Sequence, residues 1–205
     1  MIVIAANTVI FLHEWLLDPY SKNWFVSLYA LTPDHFRAVN LGTSMFLHAG
    51  WMHLIGNMWF LWVFGDNIED ILGRARFIFF YVACGVAAGL VHLVFNMDSR
   101  IPTVGASGAI AGVMGAYLVK FPHARIKTLV PIFVFFTTFD LPAWWMLVYW
   151  FVIQLFSGVG DLARAGIQEG GVAWFAHIGG FLTGMALIRI LPTRDRYRYR
   201  RDLDW

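Results

Sequence analysis

The segment GASGAIAGVMGAY at residues 105–117 decides the fold, because it is filled with small residues and carries no charge. It is part of an uncharged stretch, one of five such stretches of 19 to 28 residues: 38–65, 77–97, 101–119, 141–160 and 170–188. About 20 apolar residues span the ~30 Å hydrocarbon core of a bilayer. The sequence therefore predicts a polytopic membrane protein.

The composition of the whole chain agrees with this class. Hydrophobic residues make up 59% of the 205 residues and charged residues only 14%, against about 25% in a soluble domain. The net charge of +2 indicates no nucleic-acid partner, and the length fits a single domain, 1–205. Cys84 is the only cysteine, so it forms no internal disulfide and is interpreted as a core residue.

We predict an all-α bundle whose six membrane-spanning segments are 1–17, 46–65, 77–96, 106–120, 141–157 and 172–191. Another apolar segment, 128–139, is too short to span and is expected to be interfacial or re-entrant. The first segment is also short, so we expect an incomplete first helix, through either truncation of a natural N-terminus or an uncertain start.

The distribution of basic residues supports six spans. With both termini in the cytoplasm, 11 of the 15 basic residues fall on the inside and 4 on the outside, as the positive-inside rule requires. A spanning segment at 128–139 would instead place the arginine-rich tail outside. The tail, 192–205, is therefore expected to be a cytoplasmic anchor, with binding to anionic lipid heads as an added role.

Three polar side chains are predicted to lie at one depth in the membrane. His53, Ser107 and His177 precede the next charge in the chain by 13, 13 and 12 residues. At ~1.5 Å per helical residue, each lies about 18–20 Å above the cytoplasmic boundary. Asn57 follows His53 by one turn on the same helix face. Polar side chains inside a bilayer are costly and mark functional sites.

Ser107 is expected to begin a helix, whose free backbone N–H groups suit an oxyanion hole. Glycines four residues apart let helix backbones approach closely, and two predicted helices each carry such a pair: Gly108 with Gly112, and Gly180 with Gly184. This approach would bring His177 within hydrogen-bond reach of Ser107. A serine needs such an adjacent base to become a nucleophile.

Simpler interpretations explain each feature taken alone. A Gly-x-Ser-Gly segment is compatible with helix packing that has no chemistry, and an intramembrane histidine often only hydrogen-bonds a neighbouring helix. A zinc site formed by His48, His53 and His177 is another alternative, but it leaves Ser107 and the glycines unexplained. The sequence contains no H-E-x-x-H motif and no intramembrane aspartate pair.

Three blocks of sequence together resemble the rhomboid intramembrane serine proteases of the compact six-helix bacterial kind. They are HAGWMHLIGN at 48–57, GASGAIAGVMGAY at 105–117 and AHIGGFLTG at 176–184. The resemblance covers nearly the whole chain. It implies six transmembrane helices with a short fourth helix that starts at the serine, and a location in the bacterial inner membrane.

The resemblance also implies the roles of individual residues. Ser107 would be the nucleophile, and His177 the general base and general acid. His53, Asn57 and the backbone N–H of Ser107 would hold the oxyanion. The supporting residues would be His48, Gly105, Gly108, Gly180 and Gly184. No metal or organic cofactor is implied, and the substrates would be transmembrane segments of other proteins.

The chain departs from the family pattern at two positions. Ala111 stands four residues after Ser107, where some members have an aromatic residue that stacks on the catalytic histidine. That support must therefore come from elsewhere or be absent. Phe36 precedes Arg37 in the first loop, where the family often has Trp-Arg, whereas Glu69 resembles an acidic family residue with a structural role.

The sequence thus predicts an intramembrane serine endopeptidase, with two alternatives from other classes. One is a catalytically inactive relative that binds membrane proteins, although such relatives usually lack the serine or the histidine. The other is a small transporter or channel, although no inverted repeat and no intramembrane acid is visible. The sequence sets neither the substrate nor the oligomeric state, and the aromatic-rich segment 141–157 is a candidate gate for substrate entry.

Overall fold

The computed structural model describes residues 2–132, 135–163 and 173–194. Its helices are α1 (Ile2–Leu16), α2 (Pro19–Tyr29), α3 (Asn40–Thr43), α4 (Trp51–Leu72), α5 (Arg74–Phe95), α6 (Ser107–Lys120), α7 (Ala143–Ala163) and α8 (Trp174–Ile190). Short 3₁₀ turns occur at Pro33–His35 and Ser44–Phe46, and two strands are β1 (Arg125–Ile132) and β2 (Phe135–Pro142). The architecture is mostly helical.

Each of the six predicted segments corresponds to a helix, namely α1, α4, α5, α6, α7 and α8. The largest difference in bounds is at α4, which begins at Trp51 rather than at residue 46 and continues to Leu72. Gly73 then separates α4 from α5 with a φ of 78°, a conformation that favours glycine. Within the described ranges, α5 and residues Ala143–Gly160 of α7 are long and apolar enough to cross a membrane, whereas α1, α6 and α8 are shorter apolar helices.

The strands β1 and β2 pair with each other in antiparallel orientation, so the all-α expectation is wrong here. The pairing runs from Arg125 opposite Pro142 to Ile132 opposite Phe135, and it includes the described residues of the segment 128–139. The sequence RIKTLVPIFVFFTTFDLP is rich in β-branched and aromatic residues, which favour strands. An apolar run that is too short to span the membrane as a helix thus forms its backbone hydrogen bonds between the two strands.

The short helix α2 is an element that the sequence analysis did not predict. Asp18 caps it by accepting hydrogen bonds from the backbone N–H groups of Tyr20 and Ser21, at 3.0 and 3.2 Å. Pro19 occupies the first helical position, where its missing N–H costs nothing. Hydrogen bonds from Ser21 hold the pKa of the exposed Asp18 carboxyl below its usual range.

Helix α6 lies at the centre of the fold. Every residue from Gly108 to Tyr117 is buried, as expected for a helix surrounded by other helices. Its small residues leave room for α4, α5 and α8 to pack directly against it. The cysteine interpreted as a core residue, Cys84, lies on α5 and is fully buried.

The backbones of α6 and α8 are in direct contact. A Cβ atom on Gly180 would collide with the carbonyl oxygen of Gly108, and a Cβ atom on Gly184 would collide with that of Gly112. One on Gly115 would collide with the carbonyl oxygen of Phe181. We call this contact line between α6 and α8 the glycine seam. Only glycine fits along it, because any side chain would separate the two helices.

The described start of the basic tail packs against the C-terminal end of α4. The backbone N–H of Arg194 donates to the carbonyl oxygen of Ile71 at 2.7 Å, and Arg76 donates to the carbonyl oxygen of Pro192 at 3.1 Å. The tail was expected to occupy 192–205, of which 195–205 lies outside the described residues.

Gly184→Ala is expected to lower the free energy of unfolding by about 1–3 kcal/mol, because the added methyl group overpacks the glycine seam. Titration of the detergent-solubilised protein with SDS, followed by tryptophan fluorescence, measures this change. Gly56→Ala on α4 is the matched control, since a Cβ atom there meets nothing within 4 Å. It should leave stability unchanged or raise it through helix propensity. Equal losses in the two variants would contradict the role of the seam.

Candidate active site

The glycine seam brings one serine and one histidine together. Ser107 is the first residue of α6, and His177 lies in the first turn of α8. Ser107 Oγ and His177 Nε2 are 2.8 Å apart, and His177 is only 7% exposed. In this geometry the hydroxyl can donate to the imidazole, which can accept its proton when the oxygen attacks an electrophile.

Gln154 on α7 is a site residue that the sequence analysis missed. Its Oε1 atom lies 2.7 Å from His177 Nδ1, and the residue is 4% exposed. A carboxamide oxygen can only accept a hydrogen bond, so Nδ1 carries the proton and Nε2 is free to accept from Ser107. The available signal was that Gln154 is the only carboxamide in the uncharged stretch 141–160.

Two tryptophan rings also pack beside His177. The ring of Trp150, one turn before Gln154 on α7, lies 5.6 Å from the imidazole between centroids and is tilted by 37°. Trp174 makes an edge contact at 6.4 Å. Ala111 is fully buried and offers no ring. The support expected to come from elsewhere thus comes from α7 and from the start of α8.

His53 and Asn57 lie one turn apart in α4, next to the backbone that leads to Ser107. A Cβ atom on Gly105 would be 2.8 Å from His53 Nε2 and 3.7 Å from Asn57 Nδ2. Within the described part of the chain, Asn57 Nδ2 is buried and has no hydrogen-bond partner. An unpaired buried donor is costly, so this amide is poised to donate to a ligand.

The backbone around Ser107 adds further donors. The first hydrogen bond at the start of α6 runs from the N–H of Ile110 to the carbonyl oxygen of Ala106, at 3.0 Å. The N–H groups of Ser107 and the next two residues therefore have no acceptor within the helix. The positive end of the helix dipole is at the same place. An anion next to Ser107 would meet these N–H groups, His53 and Asn57.

His48 lies behind His53, with ring centroids 5.1 Å apart. It is fully buried, and its backbone N–H donates to Glu14 Oε2 at 3.3 Å. Glu14 is 1% exposed, and its other oxygen lies 3.7 Å from the ammonium group of Lys22. His48 thus supports His53 by packing, and α1 is connected to the site through Glu14.

The loop before Ser107 is held in place by hydrogen bonds. Thr103 Oγ1 lies 3.0 Å from His92 Nε2, and Thr103 exchanges backbone hydrogen bonds with Leu31 at 3.0 and 2.8 Å. The N–H of Gly105 donates to the carbonyl oxygen of Ser44 at 2.9 Å. Gly105 has a φ of 127°, so both its conformation and its contact with His53 require glycine.

The other predicted residues lie away from this cluster. In the first loop, Arg37 Nη1 lies 3.4 Å from the carbonyl oxygen of Leu28, and the neighbouring Phe36 is exposed. The zinc alternative has no support in the described ranges, where no group of three or more metal-ligating side chains occurs. Both ring nitrogens of His177 are instead engaged, by Ser107 and Gln154.

Comparison with known proteins identifies the family. Residues 35–194 match the Rhomboid domain. The chain belongs to the rhomboid family. The predicted membership of the rhomboid family is therefore confirmed, and this rhomboid is a membrane protein.

Three relatives illustrate the similarity. Rhomboid protein 1, mitochondrial, of Saccharomyces cerevisiae is 32% identical over 173 residues, which are 80% of this chain and 46% of the relative. RHOMBOID-like protein 6, mitochondrial, of Arabidopsis thaliana is 33% identical, with 73% and 42% of the two chains covered. Presenilin-associated rhomboid-like protein A, mitochondrial, of Danio rerio is 34% identical, with 60% and 33% covered. The chain spans less than half the length of these relatives.

The names of these relatives bear on location. All three are mitochondrial proteins, which counts against the bacterial inner membrane implied by the resemblance. The family match supports a location in a membrane but does not specify which membrane.

Gly105→Ala is expected to lower the reactivity of Ser107 towards a fluorophosphonate probe by about tenfold or more. Backbone strain at positive φ costs of order 1–3 kcal/mol, and the new methyl group would displace the ring of His53. Gly42→Ala on α3 is the control, since a Cβ atom there meets nothing within 4 Å. The labelling rate is measured on detergent-purified protein. Labelling of Gly105→Ala at the wild-type rate would contradict the requirement for glycine at position 105.

Proposed function

We propose that this rhomboid is an intramembrane serine endopeptidase that cleaves transmembrane segments of other membrane proteins without a cofactor. The observation that carries the proposal is the 2.8 Å contact between Ser107 Oγ and His177 Nε2. In this proposal α1, α4, α5, α6, α7 and α8 span the bilayer, and both termini lie on one face. The short helix α6 starts at the nucleophile.

The proposed reaction begins when Ser107 Oγ attacks the scissile carbonyl carbon. His177 Nε2 takes the hydroxyl proton during attack and then gives it to the leaving amine. This step leaves an acyl group on Ser107. A water molecule, activated by the same nitrogen, attacks the acyl carbon and releases the second product.

The oxyanion of each tetrahedral intermediate is assigned to the donors around Gly105. The backbone N–H of Ser107, His53 Nε2 and Asn57 Nδ2 would share this negative charge. Donors fixed in advance in a buried site stabilise charge without reorganisation during the reaction. The buried and unpaired amide of Asn57 is the feature of the described residues that best supports this assignment.

The burial of the site constrains the substrate. A transmembrane helix hides its carbonyl groups in internal hydrogen bonds, so a substrate must unwind locally before Ser107 can attack. We expect helix-breaking residues near the cleaved bond. Substrate and water would enter from the face opposite the basic tail, and α7 is the proposed gate because it covers His177 with Trp150 and Gln154.

Ser107→Ala and His177→Ala are each expected to abolish cleavage of a transmembrane peptide by the purified protein in liposomes. A fluorophosphonate probe should label the wild type and neither variant, because labelling needs an activated serine. Ser27→Ala on α2, remote from His177 in the chain, is the matched control and should cleave normally. Full cleavage by Ser107→Ala would refute the proposal. A solute flux abolished by His177→Ala, with no proteolysis by the wild type, would favour a channel instead.

Asn57→Ala is expected to lower kcat by about 10²-fold with little change in KM, since an oxyanion donor acts mainly in the transition state. The matched control is Asn67→Ala on the same helix. Asn67 Nδ2 donates to the hydroxyl of Tyr117 at 3.2 Å and lies ten residues further along α4. Steady-state cleavage of a fluorogenic transmembrane peptide measures both variants. Equal kcat values in the two variants would show that Asn57 is not a donor in the oxyanion hole.

A further inference from the structure

The glutamine on α7 needs an explanation because of its surroundings. Gln154 is 4% exposed and stands in a stretch, 141–160, that contains no charged residue. Burial of a carboxamide costs free energy unless it is hydrogen-bonded. Its bond to His177 Nδ1, at 2.7 Å, offsets that cost.

The bond to Gln154 selects one form of the imidazole. A neutral imidazole carries one proton, and the partner of one nitrogen decides the state of the other. Because the Oε1 atom of Gln154 accepts from Nδ1–H, Nε2 is left without a proton and faces Ser107 Oγ at 2.8 Å. Gln154, His177 and Ser107 thus form one chain of hydrogen bonds across α7, α8 and α6.

Ring packing holds Gln154 in this place. The rings of Phe151 on α7 and Phe181 on α8 are stacked with centroids 4.6 Å apart. Trp150 packs on the same Phe181 at 6.0 Å. These contacts lie within one turn of Gln154 and fix the rotation of α7 relative to α8, so the amide is directed at His177.

We propose that Gln154 is a positioning residue that sets the tautomer and the orientation of His177. It supplies, together with Trp150, the support that an aromatic residue at the position of Ala111 would otherwise give. An uncharged acceptor suits this depth, since a carboxylate inside a bilayer is costly. The proposal rests on the proposed protease function, and it makes the position of α7 a condition for an active histidine.

The test compares two substitutions at one position. Gln154→Met keeps the length of the side chain but removes the acceptor, and it is expected to lower kcat by about tenfold or more while KM changes less than about twofold. Gln154→Glu keeps an oxygen acceptor of the same length, because a carboxyl group buried at this depth takes its neutral form, and it should lose less kcat than Gln154→Met. Leu147→Ala, at a fully buried position of the same helix, is the control for loosened packing and should lower stability without this selective loss of kcat.

A second measurement reads the tautomer directly and needs no activity. The ¹⁵N chemical shifts of the His177 ring, assigned by comparison with His177→Ala, should show a proton on Nδ1 in the wild type. Gln154→Met should give a mixture of the two tautomers, whereas Leu147→Ala should keep the wild-type spectrum.

The outcomes separate this inference from the protease proposal. If the wild type cleaves and Gln154→Met keeps both its kcat and its tautomer, the positioning role is wrong and the protease proposal stands. If Gln154→Glu is as impaired as Gln154→Met while folded, the hydrogen bond is not what matters and the inference also falls. If the wild type does not cleave at all, the protease proposal fails, and the tautomer measurement still decides what Gln154 does.

Discussion

The direct contact of the α6 and α8 backbones is the constraint on which the rest of the structure depends. Glycine on both sides removes the side chains that would keep the helices apart. Ser107 and His177 sit at the ends of these helices, so the distance between their side chains follows from backbone packing. Because helix packing fixes the distance between Ser107 and His177, no flexible loop is needed to bring the two side chains together. Their geometry is as rigid as the contact between the two helices.

Polar groups are arranged around this contact so that few are left unpaired. His92 and Thr103 hold the loop that leads to Gly105, and Gln154 pairs with His177. At the site, the amide of Asn57 has no acceptor, and the ring nitrogens of His48 have no partner, among the described residues. Asn57 is the one of these two residues that lies next to Gly105 and the backbone leading to Ser107, so its unpaired donor is the clearest sign of where negative charge would be held.

The sequence predicted the centre of this arrangement because helix geometry converts residue spacing into depth. The number of residues to the next charged residue predicted one membrane depth for His53, Ser107 and His177. The four-residue spacing of the glycines predicted that the helices of Ser107 and His177 pack together. Gln154 was missed because spacing along one helix does not reveal which face meets the histidine. The pairing of β1 with β2 was missed because a short apolar run carries no periodic signal that separates a strand from an interfacial segment. The contact with Glu14 depended on how α1 is placed against α4, which no local pattern encodes.

The role of Glu14 has a consequence for the boundaries of the unit that holds the candidate site. The Rhomboid domain match begins at residue 35, yet the acceptor for the backbone N–H of His48 is supplied by α1. A fragment cut at that boundary would leave a buried peptide group without a partner behind His53. The minimal self-sufficient unit is therefore larger than the region that family similarity delimits, and the first helix forms part of the scaffold of the site.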